Sequence, residues 1–406
     1  KRINLLRKNP PLKYFLYFAT WLLVDGLLLV LLGKYSILNY IYYILTLLLI
    51  TFTFTYLLPA LIFPKYFSRK FLIKFMFLTY FILCIAGIIQ YVSASLGITF
   101  INVIIEFLTN IRFLLNENHQ LYDSRLSSLF EEPGYFGAFL FLNFPIVYNL
   151  CCSKYRIFDN KYLNILIKKS LIPLFWICLI LTKSPIWLIF CLILTGIYFS
   201  KRIIAFIIKH AIKFGIATII IVILAIIFFS KVNISDTYLN RIYLTITVLG
   251  NWNLFVVAEP SLATRLLSYF YTFKVFLANC ILGVGLGNTK YYTLTQVFND
   301  PQTMTYEMSE RIRLSILSGG KKLSANGSFP FDILSDSGII GFILFYYFLI
   351  KSYIYTNKIK YIYNTDKYLF LDGISKSILA FITISFYDIN YATLFIWFFI
   401  GLPLVF

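Results

Sequence analysis

The sequence is poor in charged side chains and in residues that bind metal ions. Charged residues make up 13% of the chain, whereas 60% of its residues are hydrophobic. This balance excludes an ordinary soluble protein, in which about a quarter of the residues are charged. The sequence has two histidines, far apart at His119 and His210, six cysteines and no Asp-x-Asp pair. It therefore contains no pattern of a zinc site, a disulfide framework or a carboxylate-bound divalent ion.

Long apolar runs dominate the chain instead, and no Walker motif or Gly-x-Ser-x-Gly elbow interrupts them. Apolar stretches long enough to cross a bilayer recur and predict transmembrane helices. The predicted spans are 14–32, 38–63, 71–92, 135–152, 170–181, 186–200, 214–230, 338–355, 369–386 and 389–406. The predicted fold class is an all-α polytopic membrane protein with about ten transmembrane helices.

The basic residues predict how the chain is oriented. A net charge of +19 in a soluble protein would suggest nucleic acid, but here the lysines and arginines cluster in short loops on one side of the predicted spans. The positive-inside rule makes that side cytoplasmic, so nucleic acid is not expected as a partner. The predicted units are 1–230 with spans one to seven and a first outer loop at about 93–134, then a large outer loop at 231–337, then 338–406 with the last three spans.

Two features of the outer loops suggest chemistry. The first loop ends Glu131-Glu132-Pro133-Gly134-Tyr135, where the acids are either helix-capping residues or carboxylates placed to take a proton from a hydroxyl. The second loop is rich in arginine, whose fork binds phosphate oxygens and stays charged when partly desolvated. Its candidate anion ligands are Arg241, Arg265, Arg311 and Arg313. The run from Gly283 to Asn288 predicts a tight turn, and Asp25 is a charged residue inside the first span.

Four stretches of the chain follow one another as recognisable motifs. Arg125-Leu126-Ser127-Ser128-Leu129-Phe130-Glu131-Glu132-Pro133-Gly134 fits the pattern Arg…Phe-x-Glu-Pro-Gly. Leu181-Thr182-Lys183-Ser184 fits Leu-Thr-x-Ser-Arg, with Pro185 where arginine is usual. The stretch from Arg265 to Gly283-Val284-Gly285-Leu286-Gly287-Asn288 fits Arg…Gly-x-Gly-x-Gly, and Asn326-Gly327-Ser328-Phe329 is followed by Leu334 and Gly338-Ile339-Ile340-Gly341. In this order the four stretches resemble those of the bacterial O-antigen polymerase and ligase superfamily, and its Wzy-like polymerase branch more closely.

The resemblance implies a metal-independent, inverting glycosyltransferase of the membrane-embedded GT-C type in the bacterial inner membrane, without a cofactor. Its site would face the periplasm and move a glycan from undecaprenyl diphosphate to a lipid-linked repeat unit. Implied partners are undecaprenyl-diphosphate-linked oligosaccharide, membrane lipids and a chain-length regulator protein. The implied catalytic residues are Glu132, then Glu131, as base, and Arg265 as diphosphate ligand. The implied substrate-binding residues are Arg241, Arg311, Arg313, Arg125, Lys183, Asn288, Asn326 and Tyr135.

Two other functions stay open on the sequence. A ligase of the same superfamily would transfer finished glycan to lipid A core, but Ala325 occupies the position where that branch often has histidine. A transporter or flippase of lipid-linked oligosaccharide belongs to a different class of protein. It would show inverted repeats, interrupted helices and charged residues near the middle of the membrane.

Overall fold

A computed structural model describes residues 10–51, 53, 68–96, 126, 128, 133–182, 191–193, 195–196, 260–299, 329–362 and 365–388. These residues form α-helices and connecting turns, and no strand occurs among them. The helices are α1 (Pro10–Leu31), α2 (Ile37–Thr51), α3 (Arg69–Ser95), α4 (Pro133–Cys151), α5 (Lys161–Leu181), α6 (Pro260–Ala278), α7 (Thr289–Phe298), α8 (Phe329–Ile359) and α9 (Thr365–Asp388). A short 3-10 helix, Lys360–Ile362, joins α8 to α9.

Five segments in the described part of the chain are long and apolar enough to cross a membrane. They are Lys13–Leu31, Lys70–Ser93, Gly134–Cys151, Lys161–Leu181 and Pro330–Ile362. The prediction of a helical membrane protein is therefore confirmed. The count of ten spans stays a prediction, because 186–200, 214–230 and 389–406 lie wholly or largely outside the described residues.

Two predicted spans have wrong boundaries. The span predicted at 170–181 is the last part of α5, which begins at Lys161. Asn160 starts this helix by accepting hydrogen bonds from the backbone N–H groups of two residues in its first turn. The lysines read as a loop signal lie on the helix itself, and Lys168 reaches back to donate to the carbonyls of Ser153 and Tyr155 at 2.6 and 3.0 Å.

The span predicted at 338–355 also begins too late. The helix α8 starts at Phe329, so residues 329–337, assigned from the sequence to the large outer loop, are its first turns. Gly338 lies inside α8 at φ 66° and ψ −176°, a conformation open to glycine and nearly closed to other residues. The glycine therefore separates two helical parts of α8, residues 329–337 and 339–359.

Aromatic rings join the early turns of α1 to the second half of α8. The ring pairs join Tyr14 to Tyr347, Phe15 to Phe348 and Phe18 to Phe345, with centroids 4.9, 5.4 and 5.0 Å apart. From Phe15 and Phe348 through Phe18 and Phe345 to Trp21 and Ser337, residue numbers rise along α1 as they fall along α8, so the two helices are antiparallel. The four phenylalanine rings belong to one continuous hydrophobic core that also includes residues of α3, α4, α5 and α9.

The helix α4 lies at the centre of that core. The rest of the protein buries 78% of the apolar stretch of α4, against 28–50% of the apolar stretches of the other four candidate spans. On one side Gly373 of α9 approaches so closely that an added Cβ would lie 2.7 Å from the Cα of Ile146. On the other side Phe144 stacks on Phe175 of α5 at 4.3 Å. A helix that is apolar on all faces is buried in this way in membrane bundles.

Basic residues collect at one end of the bundle, which we call the basic side: the starts of α1, α3 and α5 and the end of α8. Asp159, in the turn before α5, pairs with Lys70 and Lys74 of α3. Asp372 of α9 is nearly buried and pairs with Lys360 and Lys376, each with N–O distances of 2.6 Å. Asn149, near the end of α4, also donates to Asp372 at 2.9 Å. These contacts fix the helix ends on that side.

Candidate functional site

The helices α6 and α7 form a hairpin against the first half of α8. Three contacts join the α6 side of the hairpin to α8, and residue numbers rise together along both segments. The ring of Tyr269 contacts that of Phe331 at 5.8 Å, the hydroxyl of Ser335 donates to the carbonyl of Thr272 at 2.7 Å, and the N–H of Ile339 donates to the carbonyl of Cys280 at 2.9 Å. The helix α6 therefore runs in the same direction as α8. The return helix α7 is joined to α6 by the hydroxyls of Thr272 and Thr293, 3.1 Å apart.

Glycine makes the turn of this hairpin possible. Gly283, Gly285 and Gly287 have φ values of 76°, 92° and 80°, a region that costs L-residues conformational energy. Space is equally restrictive, because a Cβ at Gly283 would lie 2.5 Å from the carbonyl oxygen of Ser335. The alternating glycines thus let the turn, which we call the glycine turn (residues 283–288), lie directly on the backbone of α8.

The glycine turn lies at the interruption of α8. Val284 and Gly285 donate their N–H groups to the carbonyls of Ser335 and Asp336 at 2.8 and 2.9 Å. These bonds pair backbone groups that would be left unpaired where a helix is interrupted, and unpaired groups are costly in a membrane. Irregular backbone is tolerated at membrane depth only where protein or a cavity encloses it. The backbone N–H groups of the turn therefore pair with the carbonyls that the interruption of α8 leaves without a helical partner.

The carboxylate of Asp336 anchors the hairpin. Its two oxygens accept the N–H groups of Gly287 and Thr289 at 2.9 and 3.0 Å. Thr289 is the first residue of α7, so the negative charge of Asp336 lies at the positive end of that helix. The side chain is 1% exposed. Asp336 thus caps α7 from a different helix, and this contact joins the turn to α8.

Trp21 in the middle of α1 and Tyr35 just after that helix complete the cluster. Trp21 donates its indole N–H to the carbonyl of Ser337 at 2.9 Å, and Tyr35, just after α1, donates its hydroxyl to the carbonyl of Leu286 at 2.5 Å. Burial, followed by the nearby charge of Asp336, raises the pKa of Tyr35 above its usual value. Tyr35 therefore stays a neutral hydrogen-bond donor. Asp25 lies six residues before the end of α1, about 9 Å along the helix axis.

A second set of contacts joins residues 126 and 128 to α3 and α5. Leu126 is fully buried and donates its N–H to the carbonyl of Leu181 at 3.0 Å. Ser128 donates its hydroxyl to the carbonyl of Leu83, within α3, at 2.6 Å. Gly87 of α3 makes room for both residues, because a Cβ there would lie 2.9 Å from Leu126 and 3.2 Å from Ser128. Leu126 and Ser128 therefore contact both α3 and α5.

Three of the predicted site residues lie in the described part of the chain. Arg265 is half-buried in the second turn of α6, toward the end of the hairpin remote from the glycine turn. Asn288 is the N-cap residue of α7, and its side chain donates to the carbonyl of Val284 at 3.0 Å, so it helps to hold the turn. Tyr135 is exposed in the first turn of α4. Arg125, Glu131, Glu132, Lys183, Arg241, Arg311, Arg313 and Asn326 lie outside the described residues.

Sequence reasoning missed Asp336 and the neighbour of Asp25. The sequence placed Asp336 in the outer loop, whereas it is a buried residue inside α8, and it acts electrostatically on Asp25. One signal was present in the sequence: Asp336 stands two residues before Gly338, and an acid beside an interrupting glycine can accept the N–H groups of an adjacent turn.

The comparisons with known proteins do not assign the chain. No protein-family model matches it, and no curated protein or solved structure matches it significantly.

Proposed function

We propose that the protein is a polysaccharide polymerase of the O-antigen type. It would transfer a glycan from undecaprenyl diphosphate to a lipid-linked repeat unit, without a metal ion and with inversion. On this proposal the chain lies in the bacterial inner membrane and its site faces the periplasm.

The pairing of the four family-like stretches carries the proposal. The first stretch bonds to the second through Leu126 and Leu181. The third bonds to the fourth through the glycine turn and the residues around Gly338, with Ile339 N–H donating to the carbonyl of Cys280. Stretches far apart in the chain thus meet in two pairs, one at α3 and α5 and the other at α8, and the proposal requires both pairs to line one site.

The chemistry assigns different roles to arginine and glutamate. Diphosphate is already a good leaving group, so its departure needs stabilisation of negative charge more than protonation. Arg265 supplies a guanidinium on a helix whose far end is fixed by the glycine turn, and the hairpin would hold this group in place. Arg241, Arg311 and Arg313 are proposed as further diphosphate ligands, and Glu132 or Glu131 as the base for the acceptor hydroxyl.

Purified protein with a lipid-diphosphate oligosaccharide tests the assignment. Arg265→Ala is expected to lower the rate of chain growth by about 10²–10³, the loss found when one oxyanion-type donor is removed. Lys274→Ala is the matched control, since it removes one positive charge from an exposed position on the same helix. Glu132→Gln is expected to lower the rate by about 10²–10⁴. Equal rates for Arg265→Ala and Lys274→Ala would discard the role of Arg265.

One observation favours a transporter of lipid-linked oligosaccharide as the second candidate. The helix α8 is interrupted at Gly338, two residues after the buried Asp336. Buried Asp25 lies one turn beyond Trp21 of α1, which donates to the carbonyl of Ser337. Transporters often bind substrate or coupling ions where helices are interrupted. Proteoliposomes distinguish the two functions: movement of a labelled lipid-linked oligosaccharide between leaflets, without chain growth, would favour transport. Transfer only to an added lipid A core acceptor would favour the ligase.

A further inference from the structure

Two buried oxygen atoms beside the interruption of α8 have no hydrogen-bond partner. They are Oδ1 of Asp25 and Oγ1 of Thr289, in side chains that are 1% and 2% exposed. They come from different elements, since Asp25 belongs to α1 and Thr289 begins α7. Buried polar groups in proteins are nearly always paired. Two such oxygens in one region therefore indicate a ligand that would supply their missing polar contacts.

Asp336 links these two atoms. The backbone N–H of Thr289 donates to Oδ1 of Asp336 at 3.0 Å, and Oγ1 of Thr289 is three covalent bonds from that nitrogen. Trp21, one turn before Asp25 on α1, donates to the carbonyl of Ser337, the chain neighbour of Asp336, so Asp25 lies on the face of α1 that contacts α8 at Asp336. The cluster formed by Asp25, Asp336 and Thr289, which we call the carboxyl pocket, therefore joins α1, α7 and α8.

The two carboxyls of the pocket differ in how their charge is compensated. Asp336 accepts two backbone N–H groups and faces the positive end of α7, so its negative charge is stabilised. Asp25 has no such contact at Oδ1. A buried carboxylate with an unpaired oxygen, close to a second carboxylate, is strongly disfavoured. The pocket consequently has a negative charge that a positive ligand would neutralise.

We propose that the carboxyl pocket binds one monovalent cation, a proton or a sodium ion, and that this cation joins the α6–α7 hairpin to α1. The ligand atoms are Oδ1 of Asp25 and Oγ1 of Thr289, and the charge of Asp336 strengthens the attraction. This proposal is independent of the glycosyltransferase assignment.

The donor set favours a monovalent over a divalent ion. Within the described part of the chain, no group of three or more His, Cys, Asp or Glu side chains could hold a metal ion. Divalent ions such as Ca²⁺ require six or more oxygen ligands, usually several of them carboxylates. In the pocket one of the two carboxyls already accepts backbone N–H groups with both oxygens. The groups left to bind a cation are the carboxyl of Asp25 and the hydroxyl of Thr289, and their single negative charge matches a single positive charge.

Other ionisable groups surround the pocket. From α8 the neighbour is Asp336, and from the turn after α1 it is Tyr35, whose hydroxyl is engaged with Leu286. The ionisable groups from α2 are Tyr40 and Tyr43, and on α7 Lys290 follows Thr289. An unperturbed tyrosine has a pKa of about 10, and burial raises the pKa of Tyr35 further. A response between mildly acidic and mildly alkaline pH would therefore report on the two carboxyls.

Thermal unfolding of the purified full chain in detergent tests the proposal. Unfolding is measured at mildly acidic and mildly alkaline pH, in sodium chloride and in choline chloride. A ligand that binds the folded state raises Tm as its concentration increases. The wild-type protein is therefore expected to gain Tm on acidification, on addition of sodium at alkaline pH, or on both. Response to acid alone identifies the proton, and response to sodium identifies the metal ion.

Asp25→Asn gives the decisive comparison. The amide removes the charge and the need for a cation, so this variant is expected to lose both responses. In alkaline choline chloride its Tm is expected to equal or exceed that of the wild type. Asp159→Asn is the matched control, because it removes one carboxylate at an exposed position on the basic side, and it should keep the wild-type responses. Parallel responses of wild type and Asp25→Asn would overturn the proposal.

Carbodiimide labelling decides the case if Asp25→Asn does not fold. Dicyclohexylcarbodiimide modifies protonated carboxyl groups in apolar surroundings, and mass spectrometry locates the adduct. In the wild-type protein we expect Asp25 to be labelled at mildly acidic pH, and labelling to fall at alkaline pH or when sodium replaces choline. Absence of labelling at Asp25, or labelling that neither pH nor sodium changes, would contradict the proposal.

Discussion

Replacing Gly338 by alanine should detach the hairpin from α8. The residue has φ 66° and ψ −176°, a region that essentially glycine alone adopts. An added Cβ would also lie 2.0 Å from the carbonyl oxygen of Ile281 and 2.5 Å from its carbonyl carbon. These are backbone atoms of the hairpin, so no side-chain rotation can relieve the overlap. The chain must either change its conformation at Gly338 or move the glycine turn away.

The expected loss of stability is the sum of two contributions. The backbone strain of a non-glycine residue in this region costs about 1–3 kcal/mol. Moving the turn breaks the hydrogen bonds from Val284 to Ser335 and from Ile339 to Cys280, each worth about 1 kcal/mol net. Gly338→Ala should therefore destabilise the folded protein by about 3–5 kcal/mol.

Two other glycines serve as controls in the same assay, unfolding of the purified protein in detergent. Gly134, in the first turn of α4, has no atom within 4 Å of an added Cβ, so Gly134→Ala should be neutral or slightly stabilising. Gly33 has φ 68° with open space around it, so Gly33→Ala measures the cost of the backbone conformation alone, about 1 kcal/mol. If Gly338→Ala costs no more than Gly33→Ala, the close packing of the turn on α8 is refuted.

Three further predictions concern single contacts. Hydrogen bonds from Lys70 and Lys74 lower the pKa of Asp159 from 3.8 to about 2. The stability that these ion pairs contribute to the folded protein is therefore present above pH 3.8 and is lost as the pH falls through about 2. A plot of Tm against pH should show this loss in the wild type and not in Asp159→Asn. Asp372→Asn leaves the nearly buried ammonium of Lys360 without its carboxylate partner and should lower the free energy of unfolding by about 3–5 kcal/mol. Adding Lys360→Met to this variant should restore part of that loss. Equal stability of the single and double variants would contradict the pairing. Tyr35→Phe leaves the carbonyl of Leu286 without its donor and should cost about 1–3 kcal/mol in denaturant unfolding, whereas no change would show that the carbonyl finds another donor.

The sequence predicted helices well where apolar runs end at clear signals. The helix α4 begins at Pro133, as the proline at the start of an apolar run indicates, and it ends at Cys151, one residue from the predicted boundary. The helix α5 was predicted too short because its first turns carry lysines. Lysines resemble a loop signal in a membrane protein, yet a long side chain can leave the apolar region while its backbone remains helical.

The site was less predictable, because its contacts join segments far apart in the chain. The glycine run predicted a turn, and the turn is present. Its partner was not predictable: Asp336 caps the turn from 47 residues away, and the hydrogen bond from Trp21 to Ser337 spans 316 residues. Local spacing carries no information about such pairs. The pairing of Leu126 with Leu181 belongs to the same class.

Chain growth by the isolated protein tests the central claim most directly. The purified chain is incubated with a lipid-diphosphate-linked repeat unit in EDTA, and the products are separated by size. The proposed function predicts a ladder of lengthening glycans that persists in EDTA and is lost in Arg265→Ala but not in Lys274→Ala. A wild-type protein that binds and moves the lipid-linked unit without extending it, or that extends it only with added divalent metal, would contradict the account.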